Sequence, residues 1–316
     1  MYEINDVAPT SLSHLIGQKG VIDQVKVAID AAFADNRKLD SAMLVGPPGV
    51  GKSALANVVA QEMASEYHEV LGQSIKGLSD LNALLLAAKD KDIVHIDEAH
   101  ELEKRFQTAL YLAVDRQKIL VSGSGKSGVP LGIPIADFTL LLSTTDEFCL
   151  LQPLRDRMRL VLRFDFYSSE EIVTVLRHRS RALAWATADD ALPAIAQRSR
   201  GTPRLALRLL QSARRVARSE SESTIELAHV ERACALEQLD DLGLGPTEQK
   251  YLRLLSDGAA RLNVLASVLG LPARTVSQVT EPFLIRAGLI LKDDQGRRQL
   301  SAKGHEHLSI QRPTTV

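Results

Sequence analysis

The sequence predicts an α/β chain: a buried parallel sheet carrying a phosphate-binding loop, then an all-helical block, then a small unit of three helices and a hairpin. Three observations carry this. Residues 46–53 read Gly46-Pro47-Pro48-Gly49-Val50-Gly51-Lys52-Ser53, set between an apolar run and a helix-like stretch. Short apolar runs alternate with helical patterns through the first half, as in a parallel sheet covered on both faces. The C-terminal residues run helix, helix, helix, strand and polar tip.

The elements follow in order. A periodic stretch over residues 20–35 precedes the strand Ala42-Met43-Leu44-Val45. The glycine loop comes next, and Ala54 to Ala60 reads as a helix. Strand, loop and helix start are the context in which such a loop binds phosphate. The glycines Gly46, Gly49 and Gly51, with Val50 and Ala54, let successive backbone N–H groups face one phosphate. The helix N-terminus adds partial positive charge. Lys52 can reach the β- and γ-phosphates, and the Ser53 hydroxyl can hold Mg²⁺.

Ile93-Val94-His95-Ile96 is a strand ending in Asp97-Glu98, about 45 residues after Lys52. Asp97 suits a Mg²⁺ ligand, and Glu98 suits a base that polarises water. His95 and His100 have no metal-ligand spacing and read as structural. Phe138 to Leu142 is a further strand, ending near Thr144 and Thr145, where a hydroxyl can meet the γ-phosphate. Pro153-Leu154-Arg155-Asp156-Arg157 follows, and an arginine at a domain edge can reach a neighbouring subunit's nucleotide. Val161 to Phe166 is the last run of this half.

From Ser168 to Gln238 the pattern is helical, starting on Ser168-Ser169-Glu170-Glu171. Its eleven Arg and no Lys stand against nine acids, which reads as a solvated helix face. Within it Thr202 caps a helix, Pro203 takes its first position, and Arg204 can touch a phosphate from the lid side. Leu239 to Pro246 is a linker. Helical patterns then begin at Thr247, at 261–269 and at 272–287, before the strand Gly288-Leu289-Ile290-Leu291. The polar tip carries Lys292, Arg297 and Arg298. Three helices and a hairpin make a winged-helix pattern, and its basic tip is a candidate DNA contact. The expected domains are 1–167, 168–240 and 241–316.

Composition bounds the reading. The chain has 316 residues, 45% hydrophobic and 24% charged, with a formal net charge of −1. Contact with nucleic acid therefore needs a local patch. Cys149 and Cys234 offer neither zinc spacing nor a disulfide framework. No apolar run approaches the roughly 18 residues of a membrane helix, and there is no signal-peptide pattern. A cytoplasmic protein without a membrane partner is expected.

The ordered set resembles the AAA+ ATPases and, more narrowly, the RuvB family of Holliday-junction branch-migration motors. The likeness covers nearly the whole chain. It runs from Ile16-Gly17-Gln18 through the phosphate loop, Phe138-Thr139-Leu140, Pro153 to Arg157, Phe166-Tyr167 and Arg200 to Arg204. It ends in the winged helix at Glu281-Pro282-Phe283-Leu284-Ile285 and Gly288, the segment generic AAA+ proteins lack. The fold implied is an AAA+ P-loop ATPase domain, an all-α lid and a C-terminal winged helix. The resemblance makes Thr145 the first sensor, Arg157 a finger acting in trans, and Arg204 the second sensor. It places Tyr167 and Val7 beside the nucleotide, and Lys292 and Arg297 on DNA. Residues 118–135 match the hairpin that grips a RuvA-type partner. ATP with Mg²⁺ and a homo-hexamer on branched DNA are implied.

The sequence departs from the family pattern at several points. Ala8 precedes Pro9 where the family has Arg, Asp146 replaces a basic residue, and the hairpin tip Gly123 to Gly128 is glycine-rich. Asp293-Asp294-Gln295-Gly296 occupies the wing. The alternative expectation is a nucleotide-dependent DNA-binding switch of the initiator type, which also joins one AAA+ module to a winged helix. A two-lobed DEAH-box helicase would need a second lobe, which this chain lacks.

Overall fold

The computed structural model describes residues 7–121, the side chain of Val121 excepted, and 131–310. Contacts divide the described chain into two compact units. One runs up to Ala184 and includes Gly201–Leu207; the other holds Trp185–Arg200 and the residues from Arg208 onward.

The first unit is built on a five-stranded sheet. Helix α1 (Lys19–Ala34) leads to β1 (Ala42–Val45), α2 (Lys52–Glu62), β2 (Tyr67–Leu71), α3 (Leu78–Ala87) and β3 (Ile93–Asp97). Next come α4 (Lys104–Arg116), β4 (Lys118–Val121), β5 (Leu131–Pro134), β6 (Thr139–Thr144), α5 (Gln152–Arg155), β7 (Leu160–Arg163) and α6 (Ser169–Ala182). The sheet order is β2-β3-β6-β1-β7, and each pairing is parallel. Strand alternation divides the core. Val94, Ile96, Leu140 and Leu142 pack with Leu81, Leu85, Phe106 and Leu110, while Ile93 and Leu141 pack with Val25, Ile29, Leu55 and Val59. Each fully buried aliphatic side chain contributes roughly 1.5–3 kcal/mol. The order brings the ends of β3, β6 and β1 side by side, so Asp97, Thr144 and Gly46 meet at one edge.

Local chemistry sets the boundaries. The run at Val161 to Phe166 stays a strand only to Arg163. Beyond it the Gln18 amide takes over the backbone of Asp165, donating to its carbonyl (2.7 Å) and accepting from its N–H (3.1 Å). Helix α6 starts where its pattern predicts: the Glu171 amide donates to Ser168 Oγ (3.1 Å), and the Ser168 amide donates to the Glu171 carboxylate (2.8 Å). Strands β4 and β5 pair antiparallel, Lys118 with Pro134 through Val121 with Leu131. The glycine-rich tip expected at Gly123 to Gly128 lies outside the described residues.

The second unit holds α7 (Ala191–Arg198), most of α8 (Pro203–Ser219) and α9 (Leu227–Leu236). Helix α10 (Pro246–Ser256), β8 (Ala260–Arg261), α11 (Leu262–Leu269) and α12 (Ala273–Thr275) follow. A π turn at Val276–Thr280, α13 (Glu281–Arg286), β9 (Ile290–Lys292), β10 (Arg297–Leu300) and α14 (Ala302–Ile310) complete it. Strands β8, β10 and β9 form an antiparallel sheet over a core of Tyr251, Leu252, Leu265, Val276, Leu284 and Ile290. This is the winged helix. Two boundaries differ from the sequence pattern. Helix α10 begins at Pro246, after Gly245, and not at a Thr247 cap, because a missing N–H costs nothing in a first turn. The pattern at 272–287 is one rod in the sequence but is broken by the π turn, where Pro282 cannot donate to the preceding turn. Among the described residues, no helix is long and apolar enough to cross a membrane.

Candidate active site

A cavity of about 930 Å³ opens at the sheet edge, entirely within the first unit. Of the residues read from the sequence, Val7, Gly49, Gly51, Lys52, Ser53, Ala54, Asp97, Glu98, Tyr167 and Arg204 line it. The loop curls because Gly49 and Gly51 take left-handed φ of 77° and 100°. Gly49 must also be small: a Cβ there would lie 2.9 Å from both Arg204 Cβ and Thr202 Cγ2. The Arg204 amide donates to the Gly49 carbonyl (3.3 Å), so the start of α8 sits against the loop. Tyr167 seals the other side, its hydroxyl donating to the Val50 carbonyl (3.2 Å). Burial pushes the Tyr167 phenol up to about 12, so it stays a neutral donor. Val50 is fully buried beneath the loop.

Lys52 is nearly buried, and its ammonium donates to the carbonyls of Gly46 (2.9 Å) and Pro47 (2.8 Å). Burial pulls its pKa below the usual lysine value; Glu98 and Asp97 act against that and Arg204 with it. Ser53 Oγ donates to Asp97 Oδ2 at 2.7 Å. A hydroxyl and a carboxylate in contact, beside a loop of N–H donors, are the hard oxygen donors that suit Mg²⁺.

Glu98 adopts a left-handed φ of 50°, a conformation that costs a side-chain-bearing residue roughly 1–3 kcal/mol. Its amide donates to Asp97 Oδ1 (2.9 Å). His100 Nδ1 lies 3.4 Å from the Glu98 carboxylate and 3.2 Å from Thr144 Oγ1. Thr144, fully buried at the end of β6, is thus the threonine linked to Glu98 through His100. Thr145 is exposed just beyond the strand and does not line the cavity.

Arg157 also lies away from its own cavity. It pairs with Asp115 at the end of α4, Nε to Oδ1 being 2.7 Å, and stacks over the Tyr111 ring at 5.0 Å. This pair holds the Asp115 carboxyl below its usual range. In the winged helix, the basic residues expected on DNA have partners of their own. Arg298 Nε and Lys292 Nζ reach the fully buried Glu281 carboxylate at 2.8 and 3.1 Å, and Arg297 pairs with Asp293 at 2.8 Å.

Much of the rest of the cavity wall, beyond Val7, was not legible in the sequence. Apolar Pro9, Leu15, Ile16, Val175, Ala182 and Leu207 line the cavity, as do His14, His178, Arg179 and Arg181. The one signal was the helical spacing of Val175, Arg179 and Ala182 on α6. Apolar lining in a cavity that also holds a phosphate loop fits a flat base, and the chemistry is that of a nucleoside triphosphate site.

A family model described as the Holliday junction DNA helicase RuvB P-loop domain matches residues 7–164. Models of the RuvB AAA lid domain and the RuvB C-terminal winged helix domain match residues 167–240 and 241–309. The chain belongs to the RuvB family. The Holliday junction branch migration complex subunit RuvB of Kosmotoga olearia is 35% identical over 309 residues, which are 96% of this chain and 90% of that protein. The corresponding RuvB subunit of Thermotoga maritima is 34% identical over 310 residues, covering 96% and 92%. The solved structure of the Thermotoga maritima RuvB Holliday junction branch migration motor superposes with a TM-score of 0.82 at 32% identity, covering 95% of this chain and 97% of that one. A mutant of the same RuvB superposes with a TM-score of 0.85, covering 97% and 100%. The family accounts for the AAA+ ATPase architecture, nucleotide binding by the loop, and the winged helix.

Proposed function

We propose that this RuvB-family chain hydrolyses ATP with Mg²⁺ and uses the energy to drive branch migration of Holliday junctions in the cytoplasm, as part of recombination and repair. The observation that carries the reading is the single cavity holding Lys52, Arg204, Glu98 and the Ser53–Asp97 pair. Lys52 exchanges its loop carbonyls for β- and γ-phosphate oxygens, a stronger, charge-assisted contact. Ser53 and Asp97 would hold Mg²⁺, which would supply charge neutralisation at the phosphate oxygens. Glu98 orients water and takes its proton as the oxygen attacks the γ-phosphorus and the β–γ bridging bond breaks. Arg204 contacts the phosphates from the α8 side, and Thr145, exposed just beyond β6 and outside the cavity lining, keeps the sensor role only as the family resemblance assigns it.

Arg157 supplies the finger in trans, which makes the working form a ring, with six subunits as the family-based expectation. Its position outside its own cavity supports that role. The hairpin of β4 and β5 serves as the grip for a RuvA-type partner. Arg297 is the wing residue best suited to a phosphate, since its partner Asp293 is solvent-accessible whereas Arg298 and Lys292 are held by the fully buried Glu281.

The test is an ATPase and junction-migration assay on the full chain, with and without a RuvA-type protein. Lys52→Ala is expected to abolish both activities; turnover at the wild-type rate would remove the core of the reading. A chain that binds DNA and nucleotide but moves no junction would instead be the initiator-type switch.

A further inference from the structure

Strand β3 carries a buried imidazole that the chemistry above does not use. His95 is fully buried and both its ring nitrogens are engaged. Nδ1 lies 2.7 Å from the Tyr67 hydroxyl on β2, and Nε2 lies 2.7 Å from Ser143 Oγ on β6. Glu69 Oε1 is 3.3 Å from Nδ1, and the Tyr67 ring stacks on the imidazole at 5.9 Å with planes 23° apart. Three adjacent strands are therefore joined side chain to side chain, at the register where Glu69 of β2 and Leu141 of β6 stand opposite His95.

The location gives this tie a purpose. The backbone pairing of β3 with β6 ends at Ile96 and Leu142. Asp97 and Thr144 both lie beyond that last pair. Alternation puts His95 and Asp97 on one face of β3, and Ser143 is the residue immediately before Thr144. The bond from His95 to Ser143 thus continues the link between the strands past the point where the ladder stops. It joins the strand end bearing Asp97 and Glu98 to the strand end bearing Thr144, which His100 connects back to Glu98. Burying an imidazole and a hydroxyl in an apolar sheet is costly unless both are satisfied, and here both are.

We propose that His95 and Ser143 are positioning residues for ATP hydrolysis. Their bond holds the β3 and β6 ends in the register that aims Glu98 and its water at the γ-phosphorus. The proposal rests on the assignment of Asp97 and Glu98 to the chemistry.

The experiment compares steady-state ATP turnover, affinity for a fluorescent ADP analogue and thermal melting in Ser143→Ala, His95→Phe and the double variant. Ser143→Ala strands His95 Nε2, and His95→Phe strands Ser143 Oγ and also takes the imidazole from the Tyr67 hydroxyl, so both singles are expected to melt earlier. The double variant removes both members of the His95–Ser143 pair, leaving only the Tyr67 hydroxyl without its imidazole partner, and is expected to melt above His95→Phe. Turnover separates the readings. Ser143→Ala is expected to lower kcat between about tenfold and a hundredfold, with ADP affinity within twofold, and the double variant is expected to stay slow. Tyr67→Phe, which leaves the His95–Ser143 bond in place, is expected to keep kcat within twofold. Recovery of kcat along with melting temperature in the double variant would show that the pair serves the fold alone and overturn the proposal. So would an unchanged kcat in Ser143→Ala, or a loss in Tyr67→Phe equal to that in Ser143→Ala. Glu98→Gln run in parallel distinguishes the two failures: if it turns over at the wild-type rate, the catalytic assignment is what is wrong.

Discussion

The Ser53 hydroxyl donates to the Asp97 carboxylate across 2.7 Å, although the two residues lie 44 positions apart. The contact joins the phosphate loop to a strand two places away in the sheet. Ser53→Ala should therefore weaken Mg²⁺-dependent nucleotide binding by about 10–100-fold while leaving Mg²⁺-free ADP binding nearly unchanged. Titrating a fluorescent nucleotide at several Mg²⁺ concentrations checks this; equal losses with and without the ion would refute it.

Glu98 sits beside this pair in a strained left-handed conformation, with its carboxylate at the cavity wall. Glu98→Gln keeps the shape and removes the base. Its kcat should fall by about 10²–10⁴, with nucleotide affinity retained. Single-turnover measurements would separate slow chemistry from slow product release.

Arg157, bound to Asp115 and Tyr111, is held outside its own subunit's cavity. Arg157→Ala should cost about 10³–10⁵ in turnover without loss of binding. Mixing it with Lys52→Ala subunits should restore part of the activity, because some boundaries then combine an intact loop with an intact finger. No recovery at any mixing ratio would count against a shared site. Asp115→Asn weakens the hold on the guanidinium and should lower turnover less than Arg157→Ala does.

The winged helix should be acid-sensitive through Glu281. Burial alone would raise the pKa of this carboxyl, but bonds from Arg298, Lys292 and Tyr251 outweigh it, and the group titrates below the ordinary 4.5. A carboxylate with a depressed folded pKa adds stability that is fully present above the unfolded value and is lost as pH falls through the folded one. The melting transition of this unit should therefore drop below about pH 4.5, and Glu281→Gln should flatten that dependence. Glu281→Gln should also cost about 3–5 kcal/mol near neutrality, since it leaves Arg298 buried without its partner. Calorimetry at a series of pH values measures both effects.

The same pair separates the wing residues. Arg298→Ala should lower the melting temperature and leave the salt dependence of DNA binding little changed. Arg297→Ala should barely alter melting and flatten the salt slope by about 0.9. Binding titrations from low to high salt decide this, and an unchanged slope for Arg297→Ala would argue for a wing that contacts protein.

The part of the site legible in the sequence is the part made locally. Gly46 to Ser53 encodes its own curl, because glycine permits left-handed φ and the following helix presents its N–H groups. Asp97-Glu98 and Gly201 to Arg204 are legible for a similar reason: each ends or begins an element whose type follows from a short pattern. The sequence also pointed to Thr144 and Thr145 at the end of β6, but not to which of them meets His100. That depends on the face to which Thr144 turns and on the position of His100.

What the sequence by itself determined is the class of chemistry and the order of the modules: the phosphate loop, the carboxylate pair, the helical block and the winged helix. Only the tertiary structure decided which side chains meet. It put Val175 and Arg179 on the cavity wall, turned Lys292 and Arg298 onto Glu281, and ran a hydrogen-bonded line from Tyr67 through His95 to Ser143. The physical reason is range. Backbone conformation is set by neighbours along the chain, whereas the partner of a buried polar group is set by whichever strand or helix is packed against it, often scores of residues away.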